Sequence, residues 1–391
     1  MFSDKKNICY LISILMAVSC ADSPQKKDFY SDISEKHDID LDECIDMNQS
    51  SSSPNLLESE FDNFELIQLE NKSEAVLGEI EKMQACDSGM YIMDSQNSLY
   101  LFDYDGAFVS KIGEIGHSKT EYTDMYNFSA NSTGDTVAIM DYNYVKYYKS
   151  NGTYLRADAL RDTPHWQGFL NTDKGFFLAT CNRGLEIVFA QYTNKFMTEN
   201  PIIGCSADLI RDIPSSWRNV VQKDGKRICY YDYYTSTFYI FNLENMSDSK
   251  CYSLHSPNIL TEDKMRNGNS DSYDYDHLVS FVFEDSIIWG IFKYQEIWYD
   301  LKLDVNTGLC LLNHHIDMSY NFLCSHNGWY YCGFEPGDLL HIIDTKNNMY
   351  SATRKLLENA LKPFAGKISD SDNYYILRMR KKKDNNIQSV K

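Results

Sequence analysis

Met83 to Tyr122 reads MQACDSGMYIMDSQNSLYLFDYDGAFVSKIGEIGHSKTEY, and its punctuation decides the fold. Three apolar runs, Tyr91–Met93, Leu99–Phe102 and Phe108–Ile112, follow one another. Asp87-Ser88-Gly89, Ser95-Gln96-Asn97 and Asp103-Tyr104-Asp105-Gly106 break the stretch up. Runs this short, joined by turn formers, pair as an antiparallel meander. Asp103 to Gly106 also looks like part of a calcium loop, but the rest of that loop, with its closing Glu, is missing. A hairpin turn is the reading adopted.

Working outward, the unit repeats. Ile92-Met93-Asp94, the strand Leu99–Asp103 and Gly106 return as Ile139-Met140-Asp141, the strand Tyr144–Tyr148 and Gly152. The offset between Asp94 and Asp141 is 47 residues (141 − 94). Cys229-Tyr230-Tyr231-Asp232, with the strand Phe238–Phe241 behind it, lies about two such steps further on. Weaker copies begin at Gly175, Ser286 and Gly328. A repeat of about 40–50 residues with four strands marks a propeller blade. The sequence therefore predicts an all-β fold, a β-propeller of four-stranded antiparallel blades. Six blades is the expected count. Seven is the rival, because the copies after Leu254 are degenerate.

Two outlying strands fit the same scheme. Phe64–Glu70 stands alone before the first repeat, and Tyr374–Arg380 ends the last. Pairing them in one blade closes the ring and removes an exposed edge. Helix is expected to be scarce, with one or two turns at Leu356–Leu361.

Composition agrees. The chain of 391 residues is 43% hydrophobic and 14% aromatic, enough for a large core. Tyrosine (29) and phenylalanine (20) far outnumber proline (8), which favours pleated strands. A net charge of −19 argues against nucleic acid, whose phosphates need clustered Lys and Arg.

The N-terminus reads as a targeting segment. Lys5 and Lys6 precede an apolar run, Ile8 to Val18, that is too short to span a bilayer. Ala17-Val18-Ser19-Cys20 then resembles a bacterial lipobox, with Ala17 where Leu is more usual. That resemblance implies cleavage before Cys20 and lipidation of its thiol. A plain secretory signal with a coincident cysteine is the alternative. The expected organisation is a signal peptide at 1–19, an acidic flexible tether at 20–60, the propeller at 61–383 and a tail at 384–391. Ala21–Glu60 holds eleven acidic residues against three Lys, plus the run Ser50–Ser53, so it buries too little apolar surface to order itself. Gln25-Lys26-Lys27-Asp28 weakly resembles sorting signals for the outer face of the outer membrane.

Eleven cysteines leave nine once Cys9 and Cys20 are set aside, an odd number. No CxxC pair occurs, so no cysteine zinc site is predicted. Most cysteines sit within strand-like runs and read as small buried hydrophobes.

Lys111-Ile112-Gly113-Glu114-Ile115-Gly116-His117-Ser118-Lys119-Thr120-Glu121-Tyr122, together with Tyr91–Asp94 and Leu99–Asp103, carries a family resemblance. It is similar to the first blade of six-bladed β-propeller lipoproteins of unknown function from Gram-negative gut bacteria, which are themselves NHL-repeat-like. The usual form there is I-G-x-x-G-x-G-P-G-E-Y. This chain keeps Ile112, Gly113, Gly116, Glu121 and Tyr122, with Ser118-Lys119-Thr120 in place of Gly-Pro-Gly. The resemblance implies a cell-envelope protein, anchored by lipid at the outer membrane and facing the periplasm or the exterior.

Function is bounded rather than identified. The first reading is a binding or scaffold module whose partner is a glycan, a peptide or an envelope protein. Its candidate residues are His165 and Trp166, between the second and third meanders, and Tyr273, Tyr275 and His277, which end the polar insertion Asp263–His277. In an extended segment those last three share one side, and Asp274 and Asp276 the other. The alternative is an NHL-like metal-dependent lyase or lactonase with a central-channel site. The histidines show no metal-ligand spacing, and His314 and His315 point to opposite sides of a strand. No GxSxG, HExxH or P-loop pattern occurs. No metal site and no cofactor are predicted, with a divalent cation left open.

Overall fold

The computed structural model describes residues 33–45, 56–142, 144–160, 166–180, 187–192, 199–204, 219–233, 235–259, 275–315, 321–344 and 351–382. The chain enters through β1 (Glu35–Asp40), α1 (Leu41–Cys44), α2 (Leu56–Glu60) and β2 (Phe61–Gln68). Blade 1 is β3 (Ile80–Cys86), β4 (Gly89–Asp94), β5 (Leu99–Phe102) and β6 (Phe108–Lys111). Blade 2 is β7 (Met125–Ala130), β8 (Thr136–Asp141), β9 (Tyr144–Lys149) and β10 (Tyr154–Ala159). Blade 3 is β11 (Trp166–Thr172), β12 (Gly175–Thr180), β13 (Ile187–Tyr192) and β14 (Glu199–Gly204). Blade 4 is β15 (Val221–Asp224), β16 (Arg227–Asp232), β17 (Thr237–Asn242) and β18 (Asn245–His255). Blade 5 is β19 (His277–Glu284), β20 (Ile287–Tyr294), β21 (Ile297–Asp304) and β22 (Cys310–His314). Blade 6 begins with β23 (Asn321–His326) and β24 (Trp329–Phe334). After α3 (Pro336–Ile343) and α4 (Ser351–Leu361) it resumes with β25 (Tyr375–Lys381).

These strands form six antiparallel four-stranded sheets in a ring, with β1 added to the fourth. The first strand of each blade lines the axis. Contacts run from β3 to β7, β11, β15, β19 and β23, and β23 returns to β3. The count is six, and the rival of seven falls.

The apolar runs that organise the sequence are the middle strands. Every residue of β4 and β5 is buried, because both faces of a blade pack against neighbours. The outer strand β6 has only intermediate or exposed positions. The repeated glycines have a steric reason. Gly106 has φ +86°, and a Cβ there would lie 2.2 Å from the Gln68 carbonyl oxygen of the neighbouring blade. At Gly152, with φ +80°, a Cβ would lie 2.5 Å from the Lys111 carbonyl oxygen. Asp103 caps its own hairpin, its Oδ1 accepting from the backbone N–H of Asp105 at 3.0 Å and Ala107 at 2.8 Å. The segment is a turn, as read.

Closure also follows the expectation. β2 is the outer strand of blade 6 and pairs antiparallel with β25, setting Leu66 against Leu377 and Ile67 against Ile376. α4 then packs beside β2, and Leu339, Ile342 and Leu357 join the core of that blade. An apolar cover over an outer strand protects an exposed edge. Helix here exceeds the expectation of one or two turns: α3 and the eleven-residue α4 form a helical excursion inside blade 6.

The tether reading requires correction between residues 33 and 45. β1 pairs parallel with the outer strand β18, from Glu35 opposite Lys250 to Asp40 opposite His255. Ser34 Oγ donates to the Ser249 carbonyl at 2.5 Å, and the His37 ring stacks on Tyr252 with centroids 4.7 Å apart. Ile39, Leu41 and Cys44 are buried. Acidity misleads at this point because an added edge strand needs few apolar side chains. Its backbone hydrogen bonds go to β18, and its Glu35 pairs with Lys250 at 2.8 Å. The rest of 20–60 falls outside the described residues, except for α2 and its packing on β2.

Candidate functional site

The recurring aspartates, Asp94, Asp141 and Asp232, are buried at the ends of the second strands. Each fastens a turn on the face that carries the inter-blade loops. Asp94 accepts from the backbone N–H groups of Gly78 at 3.0 Å, Gln96 at 3.1 Å and Ser98 at 2.9 Å. Asp232 accepts from the Thr235 hydroxyl at 3.0 Å. Asp141 does more. It accepts from Thr123 N at 3.0 Å and Asp124 N at 3.1 Å, and pairs with the Lys146 ammonium at 2.7 Å. Lys146 also donates to the Glu121 carbonyl. The loop from blade 1 to blade 2 is thereby locked onto β8 and β9.

That loop contains the Ile112–Tyr122 motif, and its retained residues each have a structural job. Gly113, at φ +68°, leaves room for the Tyr148 and Tyr122 rings. A Cβ on Gly116 would lie 2.0 Å from Glu121 Oε2. Glu121 accepts from Ser118 N at 2.9 Å, which holds its carboxyl below the usual range. Tyr122 is fully buried, and its backbone bonds to both Glu114 and Gly116. The departure at Ser118-Lys119-Thr120 leaves those three side chains exposed at the loop tip.

Between this loop and the outer strands of blade 2 runs a groove of about 860 Å³. It is lined by His117, Ser118, Lys119 and Asp124 of that loop and by Tyr154, Leu155 and Arg156 of β10. Asp141 and Lys146 form the floor, and Tyr142 and Tyr144 the rim. Tyr142 is 59% exposed and Tyr144 48% exposed. Tyr142 also sits at φ +46°, a strained conformation for a residue with a Cβ. Residues with positive φ in the corresponding hairpins of blades 1, 4 and 5 are Asn97, Ser236, and Gln295 with Glu296. Blade 2 alone among these places a tyrosine there. The Arg156 guanidinium lies 4.0 Å from the Tyr147 ring centroid and pairs with Asp158 at 2.6 Å. The groove thus joins exposed aromatic faces to Lys119 and Arg156, on a chain that is otherwise strongly acidic.

The sequence-predicted residues fall on two stretches, only partly described. His165 and Tyr273 lie outside the described residues, as does Cys20. Trp166 opens β11 of blade 3, opposite Thr180. His277 opens β19 of blade 5, with blade 4 between them. His277 Nδ1 contacts the Tyr275 carbonyl at 2.7 Å, and burial lowers its pKa. Asp276 is not the solvated carboxylate that alternation predicts. It is buried, accepting from Gln295 N at 2.7 Å and Ser256 Oγ at 2.5 Å. His315 is paired with Asp300 at 2.6 Å beneath the surface, while His314 is exposed, so the two histidines do separate. Among the described residues no group of three or more His, Cys, Asp or Glu converges in a way that could hold a metal ion.

The groove escaped sequence reading because its parts are dispersed. Tyr142 follows the recurring Asp141 as Tyr233 follows Asp232, and only the structure separates exposed Tyr142 from buried Tyr233.

Comparison with known proteins agrees with this architecture. Residues 38–380 match the family described as "Domain of unknown function (DUF4934)", and the chain belongs to that family. A Bacteroides fragilis crystal structure named "Putative exported protein" superposes with a TM-score of 0.68 at 17% identity, covering 89% of this chain and 100% of that one. A DUF4221-family structure from Bacteroides vulgatus gives 0.50 at 8% identity, covering 82% and 97%. At such identities the likeness is one of fold. No curated protein matches.

Proposed function

We propose that this member of the DUF4934 family is an exported lipoprotein of the cell envelope that binds an acidic glycan in the blade 2 groove. One observation carries the ligand reading: exposed Tyr142 and Tyr144 line a single groove together with Lys119 and Arg156, on a chain with net charge −19. Tyrosine faces stack on sugar rings, and the two cations take the carboxylates or sulfates of an acidic polysaccharide. Cys20 is the lipid attachment point in this reading. No helix among the described residues is long and apolar enough to cross a membrane.

The anchor and the groove are compatible. Ile33 lies 13 residues beyond Cys20 (33 − 20), a span of at most about 45 Å in any conformation. The chain enters the ring along blades 4 and 5 through β1 and α1. Blade 2 lies opposite blade 5 in the ring, so the groove lies across the ring from the blade 5 end of this strap.

The test is a glycan array followed by calorimetry with Tyr142→Ala/Tyr144→Ala and Lys119→Ala. Loss of two stacking faces weakens binding roughly 10-fold or more, at about 0.5–1.5 kcal/mol each. Melting should be nearly unchanged, because both rings are exposed. An acidic glycan bound equally well by the double variant would refute the site. Labelled palmitate that fails to appear on the wild type, or still appears on Cys20→Ala, would refute the anchor.

A further inference from the structure

The N-terminal strap, residues 33–45, crosses from the outer strand of blade 4 to the outer strand of blade 5. It runs beside β18 as β1, turns through α1, and makes a parallel bridge between Ile45 and Leu312 of β22. Tyr294 of blade 5 donates its hydroxyl proton to Asp42. Cys44 closes α1, and Cys310 opens β22 two residues before Leu312. In a strand those two positions face the same side. Both cysteines are buried in one apolar cluster, and both are free thiols.

Helix α1 packs on β22 next to the Ile45–Leu312 bridge, which brings the two thiols into the same buried cluster. The Cys44 thiol donates to the Asp40 carbonyl at 3.2 Å. The neighbouring Cys310 thiol lowers the Cys44 pKa, while Cys44 and burial raise that of Cys310. Cys44 is therefore the better nucleophile of the pair.

We propose that Cys44 and Cys310 form a disulfide that latches the strap across blades 4 and 5, closing a loop of more than half the chain. The oxidant is an envelope dithiol–disulfide carrier. The Cys44 thiolate attacks the carrier disulfide, forming a mixed disulfide and expelling one carrier thiolate. Deprotonated Cys310 then attacks the Cys44 sulfur, forming the Cys44–Cys310 bond and expelling the second. Two protons and two electrons pass to the carrier, which leaves as a dithiol. The latch keeps β1 on β18, so the segment nearest the Cys20 anchor cannot peel away and expose a sheet edge. In the cell, bond formation rests on the export reading. The geometry does not.

The test uses the full chain, reduced and then equilibrated with oxidised and reduced glutathione at graded ratios. Alkylation and non-reducing peptide mass spectrometry should find a Cys44–Cys310 peptide. The oxidised form should melt about 5 °C above the reduced form. Cys44→Ser and Cys310→Ser should each abolish both effects. Should a variant fold poorly, the reduced wild type supplies the comparison. Both thiols remaining alkylatable in folded protein under oxidised glutathione would overturn the latch, as would pairing with other cysteines. A bond that closes in glutathione but is absent from protein recovered from cells would overturn export and leave the latch standing.

Discussion

Replacing Asp141 with alanine removes the acceptor that ties three segments of blade 2 together. Its carboxylate is 2% exposed and pairs with the Lys146 ammonium at 2.7 Å, while also accepting from Thr123 N and Asp124 N. The Lys146 side chain is itself only 10% exposed. Alanine leaves a buried ammonium with the Glu121 carbonyl as its remaining acceptor here, and two N–H groups without a partner carboxylate. Breaking a buried pair from one side costs about 3–5 kcal/mol. With unfolding entropy near 2 cal/mol/K per residue, a chain of this size should melt roughly 5 °C lower. The loop would also detach, taking His117 and Lys119 from the groove wall. Asp94 is the built-in comparison, since it accepts three backbone N–H bonds with no lysine in its site. Asp94→Asn should therefore cost less than Asp141→Asn. Joint replacement Asp141→Asn/Lys146→Met should recover part of the loss, because no charge is then buried alone. Differential scanning calorimetry of the set decides the matter. Asp141→Ala melting within 1 °C of wild type, a margin set by the size of the buried-pair loss, would refute this account of the ion pair.

Glu284 gives a pH signature. It ends β19, is 8% exposed, accepts from Gly328 N at 2.5 Å, and has its pKa pushed up to about 7 by burial, with Asp285 and Asp224 adding to the shift. A raised carboxyl pKa means that the folded state holds a proton that the unfolded state has lost. Stability therefore falls as pH rises from about 4.5 to about 7, by about 3 kcal/mol in all, and levels off above. Glu284→Gln should flatten this slope and raise the melting temperature at pH 8; an unchanged slope would show that another group is responsible. Gly106→Ala should lower stability by about 2 kcal/mol or more, since it forces a side chain into a left-handed φ and against the Gln68 carbonyl. Denaturant melts read the loss directly, and a cost below about 0.5 kcal/mol would mean that blade 6 can move away from the turn.

The blade was legible because a propeller blade is local. Its four strands are consecutive, its turns carry their own glycines and aspartates, and its buried middle strands read as apolar runs. The closure of β2 on β25 was legible for a different reason, since an unpaired strand at each end of a ring demands a partner. β1 and the α3–α4 excursion were harder to read. β1 is acidic and pairs through backbone with a strand more than 200 residues away. α3 and α4 interrupt a blade rather than separate two, so the repeat period gives no cue to them.

The predicted site shows the same division. Trp166 and His277 read in sequence as members of inter-blade segments, and the ring sets them two blades apart. Tyr144 reads in sequence as the start of an aromatic strand, yet both it and Tyr142 are exposed in a groove shared with the loop from the previous blade. Local pattern thus determined the strands, the turns, the blade and its repetition, because side-chain alternation and φ preferences act over a few residues. The tertiary structure decided the count of six, the strap, the shared cluster of Cys44 and Cys310, and the groove. Each of these depends on which distant surfaces meet when the ring closes, and sequence spacing does not encode that meeting.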